Sequence, residues 1–190
     1  FKYSDQILAV LVKTPLPKNF SRIMYHPKDV SDAEHAEYDF NDHLIIIGYG
    51  INGKNVAKAA RFANIPYVII ELNPDTVREE RAKGEPIYFG DATQEPILTH
   101  INIQLARVVV VAISDPEATK RIIVSVRSIS QKPHIIIRTR FIQEMADNYS
   151  LGANEVIPEE FETSIEIFSR VLSKYLVPQD EVEQFIEQIR

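Results

Sequence analysis

At 190 residues, 45% hydrophobic and 25% charged, the chain has the make-up of a soluble globular protein of one domain, or of one domain plus appendages. A net charge of −6 and a pI near 5.4 speak against a nucleic-acid partner, and the lack of cysteine excludes disulfides, thiolate metal sites and a cysteine nucleophile. No run approaches the ~18 apolar residues of a membrane span, and the run at 7–12 lacks the basic flank and small-residue cleavage site of a secretion signal.

Phe1 rather than Met stands first, as expected of a piece of a longer polypeptide. Ser4 is placed to N-cap a short helix whose residues 7–12 are apolar on all sides, a pattern that needs surrounding partners. The charges that follow are basic up to Lys28 (Lys13, Lys18, Arg22) and acidic from Asp29 to Asp42. An apolar segment followed by a cationic one marks the cytoplasmic edge of a membrane domain; an arm folded onto its own domain would carry the same residues.

From residue 43 the chain alternates. Segments 44–47, 67–70, 86–89, 108–113, 134–137 and 155–157 are short and rich in Ile and Val, as buried strands are. Segments 54–62, 74–82, 95–100, 117–130 and 143–151 carry charges at helical spacing. Pro74 and Pro116 fit first-turn positions, with Asn73 and Asp115 before them as N-caps, and Gly152 fits a helix C-terminus. Strict β/α alternation predicts an α/β fold: a doubly wound, Rossmann-like sheet of six parallel strands covered on both faces.

The first strand runs into Gly48-Tyr49-Gly50-Ile51-Asn52-Gly53, which holds half of the chain's 6 glycines. In a strand–turn–helix context the first glycine permits the tight turn. The second leaves room for a phosphate, and the third lets the helix press against the sheet with its N–H groups facing the anion. Glu71 closes the second strand roughly 20 residues on, where a carboxylate accepts from ribose hydroxyls and repels a 2′-phosphate. Asn73, after Leu72, reaches the same ribose or caps the next helix. Gly90-Asp91-Ala92-Thr93 ends the third strand, with Gly90 expected to allow a sharp turn; Asp91 and Thr93 either flank an adenine or close an Asx turn. Ser114 and Asp115 follow the fourth strand. Arg138 and Arg140 follow the fifth, where they clamp a phosphate or pair with acids such as Glu159 and Glu160. All lie at carboxyl strand ends, where open α/β sheets bind ligands. None of the five histidines (His26, His35, His43, His100, His134) is placed as a general base, and neither a metal cluster nor a nucleophile motif is present. The expectation is a nucleotide sensor rather than an enzyme.

The tail is helical. Phe161, Ile165, Phe168, Val171 or Leu172, and Tyr175 form an apolar stripe, Pro178 breaks it, and Val182, Phe185, Ile186 and Ile189 begin a second amphipathic helix. These extra helices either cap the core or form a dimerisation surface.

Taken together, Leu44 through Gly53, Tyr67 through Pro74, Gly90-Asp91-Ala92-Thr93, Val109 through Pro116, Ile137-Arg138-Thr139-Arg140 and Leu151 through Glu160 resemble the RCK (TrkA-N, KTN) domain, most nearly that of Kef-type monovalent cation:proton antiporters. The resemblance covers roughly residues 42–176. It implies a dimeric domain at the cytoplasmic face of the cell membrane that gates a potassium (or sodium):proton antiporter by binding AMP, NAD(H), ADP or ATP. Its partner is a membrane transport domain of the same polypeptide, joined through a juxtamembrane linker at 1–41. A nucleotide domain at 42–158 and dimerising helices at 159–190 follow. A soluble Trk or Ktr gating subunit and a small NAD-dependent oxidoreductase are the alternatives. Carried over by position, Gly48, Tyr49, Gly50, Ile51, Asn52 and Gly53 meet phosphate, with Glu71, Leu72 and Asn73 at the ribose. Asp91, Ala92 and Thr93 lie near the adenosine, and Ser114 and Arg138 line the cleft; no metal is implied. Asn52 stands where the glutathione-gated members carry Arg, which counts against glutathione gating.

Overall fold

The structure is a computed structural model that describes residues 41–189. The expectations for the apolar and basic stretches of the arm fall outside those residues. Six strands form one parallel sheet: β1 (Leu44–Ile47), β2 (Tyr67–Glu71), β3 (Ile87–Phe89), β4 (Val108–Val111), β5 (His134–Thr139) and β6 (Glu155–Pro158). Their order is β3-β2-β1-β4-β5-β6, the doubly wound arrangement expected from the alternation. The connecting helices are α1 (Ile51–Phe62), α2 (Pro74–Ala82), α3 (Glu95–His100), α4 (Pro116–Ile129) and α5 (Met145–Ser150); α6 (Glu159–Lys174) and α7 (Gln179–Ile189) follow the sheet. Among the described residues no helix is long and apolar enough to cross a membrane.

β1 is buried along its whole length, and its alternate residues face opposite layers. Ile45 and Ile47 join Val68, Ile70, Val109, Val111, Ile135 and Ile137 on one face, packed against Leu98 of α3 and Ile122, Ile123 and Val126 of α4. Leu44 and Ile46 join Ile69 and Ile87 on the other, against Ala57 and Ala60 of α1 and Val77 of α2. Each fully buried Ile or Leu contributes roughly 1.5–3 kcal/mol relative to an exposed one, so the two layers carry the stability of the sheet. α1 buries Gly53, Ala57 and Ala60 along one stripe; small residues there bring its axis close to the sheet and set its N-terminus over the end of β1.

Helix punctuation follows the sequence closely. Asn73 Oδ1 accepts from the amides of Asp75 and Thr76 at 2.9 and 3.2 Å. Asp115 Oδ1 accepts from Glu117 and Ala118, both at 3.0 Å. At the end of α5, Gly152 takes φ +108°, with Gly152 N–H donating to Tyr149 O and Ala153 N–H to Asn148 O. Three expectations need correction. The segment expected as one helix over 143–151 is a 3₁₀ turn (Ile142–Glu144) followed by α5. The fourth strand ends at Val111 rather than 113; Ala112 N–H still makes the last ladder bond, to Ile47 O. The tail stripe stops short of Tyr175, which lies past the end of α6 and is 79% exposed. Ile165 and Val182 are the tail's buried contacts, and the rings of Phe168 and Phe185 meet edge-on at 5.2 Å, joining α6 to α7.

Candidate functional site

The order in which strands are added reverses between β1 and β4, and the carboxyl ends of both strands open on the crevice there. Gly48 N–H makes the last ladder bond to β2, to Ile70 O at 2.8 Å, and its φ of +93° then turns the chain out of the sheet. A Cβ on Gly53 would stand 2.0 Å from Gly48 O, so only glycine lets α1 sit this close to the turn. A Cβ on Gly50 would meet nothing within 4 Å: the turn is open to the crevice at that point. Gly50 is also the N-cap of α1, and neither a side-chain cap nor an acid in the first turn neutralises that helix end. The first turn of α1 therefore presents N–H groups and a partial positive charge to whatever occupies the crevice.

Glu71 lies across this turn. Its Oε2 accepts from Tyr49 N–H at 2.7 Å and its Oε1 from Asn73 N–H at 2.8 Å, which fixes the carboxylate at the rim between β1 and β2. Tyr49 contributes backbone only; its ring is turned into the core, with the Lys54 ammonium 5.4 Å from the ring centroid. The Ile51 and Leu72 side chains are exposed.

The turn after β3 is closed on itself. Asp91 Oδ1 accepts from Thr93 N–H at 2.9 Å and from Thr93 Oγ–H at 2.8 Å, the Asx turn that was one of the two readings. Those bonds, the amide's first, hold the Asp91 carboxyl below its usual range. Ala92 is buried, and Thr93 O accepts from Ser125 Oγ of α4 at 2.9 Å. Gly90 does not serve the sharp turn expected of it. A Cβ there would lie 2.8 Å from Ile97 Cγ2, so its role is to admit α3 against the strand end.

Beyond β4 and β5 lies a cavity of about 630 Å³ lined by Ser114, Arg138, Arg140, Asn148, Glu159 and Thr163, among others. Arg138 Nη1 donates to Ser114 Oγ at 3.1 Å and Nη2 donates to Glu159, while Arg140 Nε stands 3.5 Å from Glu160. Both arginines therefore take the acid-paired arrangement. The Arg138 Nε–H and the Asn148 Oδ1 are buried there without a hydrogen-bond partner. Asn148 escaped the sequence reading because an Asn inside a polar helix looks like surface; only its 3% exposure sets it apart. Glu159 figured in that reading only as an arginine's partner. Its place after Pro158, at the first position of a helix returning from the last strand, is the signal that puts it in the crevice.

The sequence model of the TrkA-N domain matches residues 44–159. The putative K(+) efflux antiporter KefB of Alkalimonas amylolytica is 28% identical over 154 residues, which cover 81% of this chain and 23% of the antiporter, so the chain spans about a quarter of that relative's length. The TrkA-N domain of the inner membrane protein ybaL from Escherichia coli superposes with a TM-score of 0.66 at 27% identity, over 69% of this chain and 97% of that one. The Kef CTD of Shewanella denitrificans in AMP bound form superposes with a TM-score of 0.67 at 18% identity, over 77% of this chain and 89% of that one, a likeness of fold.

Proposed function

We propose that this chain, which belongs to the TrkA-N domain family, is the nucleotide-sensing regulatory part of a potassium (or sodium):proton antiporter. The observation that carries the reading is the glycine turn: an uncapped helix N-terminus beside open space at the switch point, with Glu71 fixed across it. An adenine nucleotide (AMP, NAD(H), ADP or ATP) suits it. The amides from Gly48 to Gly53 take phosphate, Tyr49 through its backbone alone. Glu71, with Leu72 and Asn73 beside it, meets an unphosphorylated ribose, and Asp91, Ala92 and Thr93 border the adenosine. Ser114 and Arg138 stand on the far side of the cleft. The AMP-bound Kef CTD supports the ligand class, and the KefB relative supports the antiporter.

In this reading the domain is not an enzyme. Occupancy of the crevice biases a conformation that the transport domain of the same polypeptide reads, at the cytoplasmic face of the membrane. Residues 1–41 serve as the linker to that domain, 42–158 as the sensor, and 159–190 as helices that pair two copies. The test is mass spectrometry of nucleotide released from the purified chain, with calorimetric titration of AMP and NAD into the parent, Gly50→Glu and Glu71→Ala. Tight binding by the parent and loss in both variants is expected; variants that bind as tightly as the parent place the ligand elsewhere.

A further inference from the structure

A chain of side chains crosses the crevice from the glycine turn to the end of β5. Asn52, in the first turn of α1, donates from Nδ2 to Glu159 Oε1 at 3.0 Å. The other oxygen of Glu159 accepts from Arg138 Nη2, and Arg138 Nη1 donates to Ser114 Oγ at 3.1 Å. Glu159 is the first residue of α6, so the carboxylate that closes the chain belongs to the helix leading away from the sheet. It sits beside an α1 N-terminus that has no acid and no cap of its own, the position an anion favours.

A guanidinium offers two forked faces to a phosphate, Nε with Nη2 and Nη1 with Nη2, and both include Nη2. In Arg138 that nitrogen is held by Glu159, while Nε is buried and unpartnered. A phosphate clamped by Arg138 therefore has to share Nη2 with Glu159, which holds one of that nitrogen's two N–H groups, and two anions on one cation and beside one helix end repel each other. We propose that Glu159 is an internal stand-in for the ligand's phosphate: an autoinhibitory latch that ties α6 to the glycine turn while the crevice is empty and is expelled when nucleotide binds. This rests on the nucleotide reading above and supplies its output. Release of Glu159 frees the first turn of α6, a helix that packs on α7 through the Phe168–Phe185 contact.

The test uses the whole chain. AMP and NAD are titrated calorimetrically into the parent, Glu159→Gln, Glu159→Ala and Glu160→Gln, and amide exchange across α6 is followed by mass spectrometry with and without nucleotide. Removing the latch should tighten binding ~10-fold, within the usual range of coupling between sites. In the parent, nucleotide should speed exchange at the start of α6; in both Glu159 variants that exchange should be fast from the outset and insensitive to ligand. Glu160→Gln removes the same charge from the same turn, away from the chain to Asn52, and should change affinity by less than about 2-fold. Equal affinity in the parent and both Glu159 variants overturns the latch alone, as does a Glu160→Gln variant that tightens binding as much as Glu159→Gln. A parent that binds neither AMP nor NAD overturns the nucleotide reading and the latch with it.

Discussion

The turns after β1 and β4 leave neighbouring strands side by side, Ile47 paired with Val111, and each starts a helix over the same crevice. They end those strands in opposite ways. After β4, Pro116 has no N–H to satisfy and Asp115 takes the next two amides, so α4 is sealed by its own chain. After β1, glycine stands at the N-cap, it supplies no side-chain cap, and the first turn of α1 carries no acid of its own. α3, α5 and α6 also lack a side-chain cap but carry acids in their first turns, so α1 alone has neither, which is what the proposed phosphate site requires. The turn after β1 depends on glycine at Gly48 and Gly53 for its shape, whereas the turn after β4 depends on the Asp115 side chain.

The largest effect expected from breaking this contrast is at Gly53. Gly53→Ala drives a Cβ to 2.0 Å from Gly48 O, and should cost about 3 kcal/mol or more of folding stability, read as a drop in the urea midpoint. Next is Gly50→Glu. The added side chain points into open space from a backbone φ of −69°, so the melting temperature should hold. A carboxylate now faces the phosphate position, and nucleotide affinity should fall by about 100-fold or more in a calorimetric titration. The sealed turn should behave in reverse: Asp115→Ala should lower stability by about 1 kcal/mol through the lost cap, measured by chemical denaturation, and leave nucleotide affinity in place.

The smallest effect sharpens the comparison with a third turn, after β3. Asp91 has a folded pKa below its ordinary value of 3.8, so its contribution to stability is full above that value and is lost as pH falls through the folded one. Asp91→Asn should narrow the stability difference between about pH 3 and about pH 6, compared by denaturant midpoints. The change should be slight, because the carboxylate is exposed to solvent screening.

Most of the architecture was legible in the residues because each strand and helix announces itself locally. The Ile and Val runs mark strands, and Asn73-Pro74 and Asp115-Pro116 mark helix starts to the residue. Gly48 and Gly53 each meet a steric condition that their spacing implies, and those conditions are local too. What failed to show was set by distant partners. Gly90 looked like a turn residue, and its true constraint is Ile97 of the next helix. Tyr49 sits within the glycine motif yet sends its ring into the core, because that face of the sheet has room for it against α1 and α2. The choice left open for Arg138 depended on whether an acid 21 residues away returns to its side.

The sequence by itself therefore determined the alternation, the helix caps and the glycine turn, since all three arise from the backbone preferences and hydrogen bonds of residues close along the chain. Only the tertiary structure decided which polar groups share the crevice. That Glu159 from α6 lies between Asn52 and Arg138, and that Asn148 is buried in the wall beside them, follow from the sheet bringing the ends of β1, β4, β5 and β6 together. No local signal carries that information, because the energy of a charged side chain depends on partners that only folding assembles.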